Sequence, residues 1–269
     1  MTVVLLAAGV ALSLVAQGEA PEPVPSPEPG AAYLSDDYAA RDCLVAQWDA
    51  IDNVALGQHS DTAITWTDLS GNGHTLGNFL TEVTWTENAF ATPTNAYKKA
   101  AEVTGVAIGL NDFKAYEIVF ASDGDIPQWS GLVFGTGGFK GLVLCNGTQR
   151  VGRGFQVFFN GSTFLCDYDI TGKFQQLYTD YDDNGNPKSA YYNGEALGTS
   201  TLNESWSQGA FGIGYASNAN WPYYGRISTI RLYSRRLTDA EREHNRRIDD
   251  ARYLQKDSAR IPLELRSGK

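Results

Sequence analysis

Short strand-like segments, separated by tight-turn signals, run through most of this 269-residue sequence. In KAYEIVFAS (114–122), Tyr116, Ile118 and Phe120 fall on one face of a strand, because strand side chains alternate with a period of two. Four Asn-Gly pairs, which favour two-residue hairpin turns, separate such segments, at 146–147, 160–161, 184–185 and 193–194. Many short strands at roughly ten-residue spacing predict an all-β protein, an antiparallel sandwich or barrel.

One segment near the C-terminal end has the pattern of a helix. Thr238 and Glu241 belong to T-D-A-E, a capping box in which the hydroxyl and the carboxylate each accept a hydrogen bond from the other residue's backbone N–H. The stripe predicted to be buried consists of Ala240, His244, Ile248 and Ala251. The other positions are charged and predicted to face solvent. The fold prediction is therefore an antiparallel β-sandwich, a jelly roll, with one short C-terminal helix.

The first residues have the composition of an export signal. Val3–Ala16 is an uncharged, mostly apolar run of 14 residues, shorter than the roughly 20 that a membrane-spanning helix needs. Gly18 and Ala20 fit the small-residue positions of a signal cleavage site, although no Lys or Arg precedes the run. The sequence predicts a signal peptide over residues 1–20, a secreted or cell-surface protein, and no transmembrane span in the mature chain.

A proline-rich segment follows the apolar run. Residues 20–32 hold five of the ten prolines of the chain, which is typical of an extended, solvated linker. We therefore expect a linker over 21–32, one globular domain over 33–255 and a tail over 256–269.

The charge is strongly acidic and unevenly distributed. The net charge of −10 argues against nucleic acid as a partner. The segment from Arg226 to Lys269 is basic, with 12 Lys and Arg against 7 Asp and Glu. Because surface ion pairs contribute little to stability, we interpret this basic segment as a solvated face rather than one that pairs with the acidic body.

Three cysteines are too few for a disulfide scaffold. Cys145 and Cys166 fall on the predicted first and third strands of a meander. Strands two apart lie about 9.6 Å from each other, beyond the reach of a disulfide. Free thiols are the prediction, and a bridge is the alternative that export would permit.

Several motifs carry a resemblance to a known family. They are Y-Y-N-G-E-A-L-G-T (191–199), F-G-I-G-Y (211–215), Y-G-R-I-S-T-I-R-L-Y-S-R-R-L-T-D-A-E-R-E-H-N (224–245) and W-T-D-L-S-G-N-G-H (66–74). In this order they resemble laminin-G-like domains of the concanavalin A-like lectin/glucanase superfamily, over about residues 44–253. The resemblance implies a jelly roll, and segment 46–59 is similar to secreted bacterial surface proteins. One fold hosts many activities, so the resemblance says little about function.

The superfamily includes glucanases, so the resemblance makes catalytic motifs relevant. The E-x-D-x-x-E strand motif of retaining enzymes of this fold is absent, as are G-x-S-x-G, H-E-x-x-H and G-x-x-x-x-G-K-[ST]. We therefore expect no enzymatic activity. A pair of acids from separate strands is the alternative that a motif search does not detect.

The segment D-Y-D-D-N-G-N (180–186) begins like a calcium-binding loop. Asp180, Asp182 and Asn184 are the candidate ligands, and the resemblance implies calcium near a sandwich rim. Tyr191 stands at the twelfth position, where such a loop needs Glu. A hairpin turn is the favoured interpretation; no cofactor is expected, and calcium is the alternative.

Two segments combine large aromatic rings with amide side chains, as sugar-binding sites do. The first, N-A-N-W-P-Y-Y (218–224), offers Asn218, Asn220, Trp221, Tyr223 and Tyr224; the second, D-I-P-Q-W-S (125–130), offers Gln128 and Trp129. The alternative is that these rings close the ends of the core.

Together these features favour an exported, non-catalytic binding or adhesion module that recognises a glycan or a surface protein. Two alternatives remain at this point. One is a glycoside-active enzyme with an unrecognised carboxylate pair, and the other is a purely structural surface protein.

Overall fold

The architecture comes from a computed structural model. It describes residues 35–55, 63–77, 84–86, 89–91, 101–103, 105–109, 112–122, 130–135, 140–145, 154–159, 162–166, 172–183, 187–198, 211–213, 223 and 225–254. The predicted signal peptide (1–20), linker (21–32) and tail (256–269) lie outside these ranges and stay predictions.

Most of the described residues are in strands, with little helix. The strands are β1 (Leu44–Asp49), β2 (Leu76–Gly77), β3 (Thr84–Thr86), β4 (Ala89–Ala91), β5 (Ala101–Val103), β6 (Ala115–Ser122), β7 (Ser130–Gly135), β8 (Lys140–Cys145), β9 (Gly154–Phe159), β10 (Ser162–Cys166), β11 (Gln175–Tyr181), β12 (Pro187–Tyr192), β13 (Glu195–Gly198), β14 (Phe211–Ile213) and β15 (Gly225–Tyr233). The α-helices are α1 (Ala50–Ala55) and α2 (Asp239–Asp249), and α2 continues into a π-helical turn, Asp250–Leu254. Short 3₁₀ turns occupy Ser35–Asp37 and Arg41–Cys43. None of the helices in the described ranges is long and apolar enough to cross a membrane.

The described strands form two antiparallel sheets. One has eight strands in the order β13-β12-β11-β6-β15-β4-β3, with β1 also paired to β15. The other has seven strands in the order β10-β9-β8-β7-β14-β5-β2. Strand β15 is central to the first sheet, because it pairs with β6 on one edge and with β4 and then β1 on the other.

The sheets share one apolar core, which makes the fold a β-sandwich. Trp48 of the eight-stranded sheet stacks on Phe211 of the seven-stranded sheet, with ring centroids 5.5 Å apart and planes 7° apart. Tyr116, Ile118 and Phe120 of β6 point into this core, as their alternation predicts. The all-β prediction and the antiparallel sandwich are confirmed.

The opposite face of β6 is buried as well. Glu117 and Val119 belong to this outer face and are fully buried, because the C-terminal α2 and its π-helical turn cover it. The capping box that begins α2 is confirmed: the Glu241 N–H donates to the Thr238 hydroxyl (3.3 Å), and the Thr238 N–H donates to the Glu241 carboxylate (2.8 Å). The helix was predicted to be the sole one; α1 is a short addition after β1.

The buried stripe predicted for the C-terminal helix is wrong except at Ile248. Ala240 is exposed, His244 and Ala251 are only partly covered, and the buried residues of α2 are Asn245, Ile248 and Asp249. The reason is that the sheet face under the helix carries charged side chains. The helix therefore presents hydrogen-bonding groups to it rather than an apolar seam.

The two cysteines of the predicted meander lie where the sequence places them. Cys145 ends β8 and Cys166 ends β10, with β9 between them. Their side chains lie outside the description, so the free thiols stay a prediction. Cys43, which is described, is a free and buried thiol.

Candidate functional site

The two predicted sugar-binding segments each cross from one sheet to the other. The strands they join are neighbours in both sheets, β6 beside β15 and β7 beside β14. Ser122, the last residue of β6, pairs with Gly225, the first of β15. In the other sheet, β14 runs antiparallel to β7, and its last residue, Ile213, pairs with Val133, so the end of β14 is directed towards the start of β7. Segment 123–129 joins β6 to β7, and segment 214–224 joins β14 to β15. The anchors of both segments therefore lie at one end of the sandwich, which we call the loop end and define by Ser122, Ile213 and Gly225.

A third connection reaches the loop end. The Gly172 N–H donates to the Ser122 carbonyl at 2.6 Å, just before β11 begins. The Arg226 guanidinium lies over the Phe174 ring, 4.8 Å from its centroid, and donates to the Gly172 carbonyl at 3.4 Å. The loop end is thus held by backbone and side-chain contacts on its eight-stranded side.

Tyr223 has a different place from the one predicted. The ring is 1% exposed and belongs to the shared core. Its hydroxyl donates to the Ala121 carbonyl at 2.6 Å, which fixes the base of segment 214–224 to β6. We correct Tyr223 from a sugar-contacting ring to an anchor, and the alternative of a ring that closes the core holds for this residue.

The remaining sugar-binding candidates stay predictions. Asn218, Asn220, Trp221, Tyr224, Gln128 and Trp129 lie outside the described residues.

Two of the candidate calcium ligands, Asp180 and Asp182, lie where β11 ends, before the chain returns as the antiparallel strand β12. Asp180 accepts hydrogen bonds from the Tyr178 hydroxyl and the Ser189 N–H, both at 3.0 Å. Asp182 forms an ion pair with Lys188 at 3.4 Å. Both carboxylates thus have protein partners that hold β11 to β12.

Asn184, the third candidate, is not among the described residues. In the part of the chain that the structure describes, no group of three or more His, Cys, Asp or Glu is placed to hold a metal ion. Calcium at 180–186 stays a prediction. Asp180 pairs with Ala115, at the start of β6, so this hairpin lies at the other end of the sheet, about 25 Å from the loop end for an eight-residue strand.

A buried polar network joins α2 to the outer face of the eight-stranded sheet. Arg231 on β15 donates from Nε to Glu117 on β6 (2.9 Å) and from both terminal nitrogens to Asp249 on α2 (3.1 and 2.6 Å). Glu117 also accepts from Asn245 Nδ2 and from the Tyr233 hydroxyl, each at 2.9 Å. Burial raises the pKa of the Glu117 carboxyl, and the nearby Arg231 guanidinium opposes that rise.

A second cluster attaches the π-helical turn. Arg252 pairs with Asp49 (3.0 Å) and Asp52 (2.5 Å), and the Tyr253 hydroxyl donates to Asp49 at 2.8 Å. The basic C-terminal segment therefore pairs in part with acidic residues of the body, and its interpretation as a solvated face is wrong for Arg231 and Arg252, which are buried.

Sequence reasoning missed both clusters. Glu117 and Arg231 were visible as charges inside otherwise apolar strands, and Asn245, Asp249 and Arg252 follow the spacing i, i+4, i+7 of one helix face. Polar residues at strand and helix spacing were the available signal. Neighbouring residues in the sequence do not determine which strand packs against which helix.

The comparisons with known proteins support the fold. No protein-family model matches the sequence, and no curated protein matches it. Among solved structures, the chain is similar to Trypanosoma rangeli sialidase, with 15% identity and a TM-score of 0.56; 78% of this chain matches 33% of that one. The chain thus spans about a third of the length of the sialidase.

Two further solved structures are similar. One is domain 4 of a GH43 extracellular arabinanase from Geobacillus stearothermophilus in complex with arabinotriose (TM-score 0.53, 15% identity, 78% of this chain and 98% of that one). The other is the receptor-binding domain of botulinum neurotoxin type G (TM-score 0.50, 12% identity, 77% and 51%). At such identities the likeness shows a shared β-sandwich fold; membership of the laminin-G-like family remains a resemblance of motifs.

The expectation that the chain is not an enzyme is wrong as a conclusion. Structures similar to it include sialidases, which are enzymes, although the match covers only about a third of each sialidase, at 14–15% identity. The missing E-x-D-x-x-E motif excludes one retaining mechanism and no more. An enzymatic role is therefore open.

Proposed function

We propose that this chain is an exported module that binds a glycan, free or carried by a surface protein, at its loop end. The observation that carries the proposal is the pairing of Ser122 with Gly225 and of Ile213 with Val133. It brings the anchors of both aromatic segments, 123–129 and 214–224, to one end of the sandwich.

The residue types in these segments suit a saccharide. Indole rings pack against the apolar faces of pyranoses, and amide side chains exchange hydrogen bonds with hydroxyl groups. Trp129 with Gln128 and Trp221 with Asn220 supply this combination twice. Loops carried by a rigid scaffold are the usual location of such sites, and the core of the sandwich is the scaffold.

Similar structures support the same ligand class. The arabinanase domain was solved with arabinotriose and one of the sialidases with sialic acid. The sialidases also favour a second candidate function, hydrolysis of a bound glycoside, which the experiment must separate from binding.

The first experiment measures binding of the full chain to a broad panel of glycans and polysaccharides, with calcium and with EDTA. We expect saturable binding that Trp221→Ala weakens at least about tenfold, because buried aromatic anchors dominate binding energies. Val106→Ala is the control. Val106 is 58% exposed. Its segment, 105–109, is held away from the loop end, because the Ile108 carbonyl accepts a hydrogen bond from the N–H of Phe211, at the opposite end of β14.

The other outcomes separate the alternatives. No binding in either buffer contradicts the proposal, and self-association without binding would favour the structural alternative. Release of reducing sugar would favour the enzyme. Binding that EDTA and Asp182→Asn both abolish would support calcium at 180–186.

A further inference from the structure

A polar cleft of about 220 Å³ lies on the outer face of the eight-stranded sheet, between α2 and strands β11 and β12. It is distinct from the loop end, because it lies on the outer face of the sheet beneath α2 and none of Ser122, Ile213 and Gly225 lines it. The residues that matter here are Glu117, Gln176, Tyr178 and Tyr191 from the sheet and Arg242 and Arg246 from the helix.

The Glu117 carboxylate is only half satisfied. Its Oε2 atom accepts from Arg231, Tyr233 and Asn245, none of which is among the residues that line the cleft. Its Oε1 atom is buried and has no hydrogen-bond partner. A buried acceptor of this kind costs free energy unless a donor reaches it, and Glu117 is also one of the residues that line the cleft.

The helix side of the cleft supplies an unsatisfied donor. The Arg242 guanidinium lies over the Tyr191 ring, 3.6 Å from the ring centroid, and pairs with Asp239. Its Nε atom is buried without a partner. Two residues that line the cleft therefore carry one unused acceptor and one unused donor, both buried. The volume of the cleft exceeds what a single water fills.

Charge narrows the class of ligand. An anionic ligand would be repelled by the carboxylates of Glu117, Asp239 and Glu243. A cationic ligand would be repelled by the guanidinium groups of Arg242 and Arg246. A hydroxyl group both donates and accepts, so a neutral polyhydroxylated molecule satisfies both unused groups without meeting a like charge. Tyr178 and Tyr191 add aromatic surface of the kind that packs against a sugar ring.

We propose that this cleft binds a neutral sugar or polyol, one hydroxyl of which donates to Glu117 Oε1 while a hydroxyl oxygen accepts from Arg242 Nε. The site goes beyond the proposed function, because it shares no residue with the loop end and does not depend on it.

The test is calorimetric titration of the full chain with neutral monosaccharides (glucose, galactose, mannose and arabinose) and with myo-inositol at millimolar concentrations. We expect at least one of these probes to bind. Arg242→Met and Arg242→Lys, both of which lack the Nε–H, should each weaken binding about tenfold. Arg242→Lys keeps the positive charge, so it is the variant to titrate if Arg242→Met does not fold.

Two controls locate the site. Arg236→Met removes an exposed arginine just before the helix and should leave binding unchanged, and Trp221→Ala should do the same. The proposal is overturned if none of the probes binds, in which case the cleft holds water only. It is equally overturned if Arg236→Met weakens binding as much as the Arg242 variants do, or if Trp221→Ala alone abolishes it, which would place the sugar at the loop end.

Discussion

The guanidinium of Arg231 makes two parallel hydrogen bonds to the carboxylate of Asp249, Nη1 to Oδ1 at 3.1 Å and Nη2 to Oδ2 at 2.6 Å. Both side chains are completely buried. The pair joins β15, the last of the described strands, to the helix that follows it, across the outer face of the eight-stranded sheet. A charged helix is thus held to a sheet by matched polar groups, in a place where most helices use an apolar stripe.

Arg231→Met should be strongly destabilising. The substitution leaves Glu117 and Asp249 buried without their shared cation, and breaking a buried pair in this way costs about 3–5 kcal/mol. The free energy of unfolding from urea denaturation measures it. The control is Arg236→Met, which removes an exposed arginine just before α2. It should change that free energy by no more than about 0.5 kcal/mol. Similar values for the two variants would show that the network adds little.

Several local features of the fold could be predicted from the sequence because they depend on neighbouring residues. The alternation of Tyr116, Ile118 and Phe120 gives the inward face of β6, and the hairpin turn at Asn193 and Gly194 has the two positive φ values, 49° and 86°, that Asn-Gly favours. The capping box also depends only on residues three apart.

The contact surface of the helix could not be predicted in the same way. The stripe through Ala240 and His244 is the most apolar that the helix offers, yet Asn245 and Asp249 are the buried positions. Their partners lie on β6 and β15, more than a hundred residues apart in the chain for Glu117 and Arg231. The same limit applies to the cleft, whose walls come from four separate elements, β6, β11, β12 and α2.

Glu241 should make stability depend on pH in the acid range. Its hydrogen bonds with Arg235, and then with Thr238, lower its pKa from 4.5 to about 2. A folded pKa below the unfolded one gives stability that is full above the unfolded pKa and is lost as the pH falls from about 4.5 towards about 2. Glu241→Gln should therefore be less stable than the parent chain near neutral pH, and the difference should shrink at about pH 2.

Urea denaturation of both chains across this pH range measures the effect of Glu241. The quantity to compare is the difference in unfolding free energy between the two chains. Glu243 also has its pKa lowered to about 2, chiefly by its hydrogen bonds with Arg246, and its contribution is the same in both chains and cancels. A difference in unfolding free energy that does not change with pH would contradict the role of the Glu241 charge.

Phe211→Ala should weaken the contact between the two sheets. The Phe211 ring stacks on Trp48 and packs edge-on against Phe113, with centroids 5.5 and 6.1 Å away. Loss of a buried phenylalanine side chain costs about 3–5 kcal/mol. Phe211→Leu retains most of the volume and should cost less than about 1.5 kcal/mol. Thermal or urea unfolding gives both values, and equal losses would mean that the ring itself is not what the core needs.

Two glycines at the loop end should differ in their tolerance of alanine. A Cβ atom on Gly172 would meet nothing within 4 Å, so Gly172→Ala pays only for its φ of 73°, about 1–2 kcal/mol. A Cβ on Gly225 would lie 2.2 Å from the Ala121 carbonyl oxygen and 2.5 Å from the Tyr223 hydroxyl. Gly225→Ala must therefore separate β15 from β6 or break the Tyr223 anchor.

We expect Gly225→Ala to be the more destabilising of the two, and to weaken glycan binding more than Gly172→Ala does at a temperature where both chains are folded. The reason is that the Tyr223 anchor fixes the base of segment 214–224. Unfolding free energies and binding to the same glycan test the two parts separately. Equal glycan affinity in the two folded variants would show that the anchor supports the fold alone and that the glycan contacts do not depend on it.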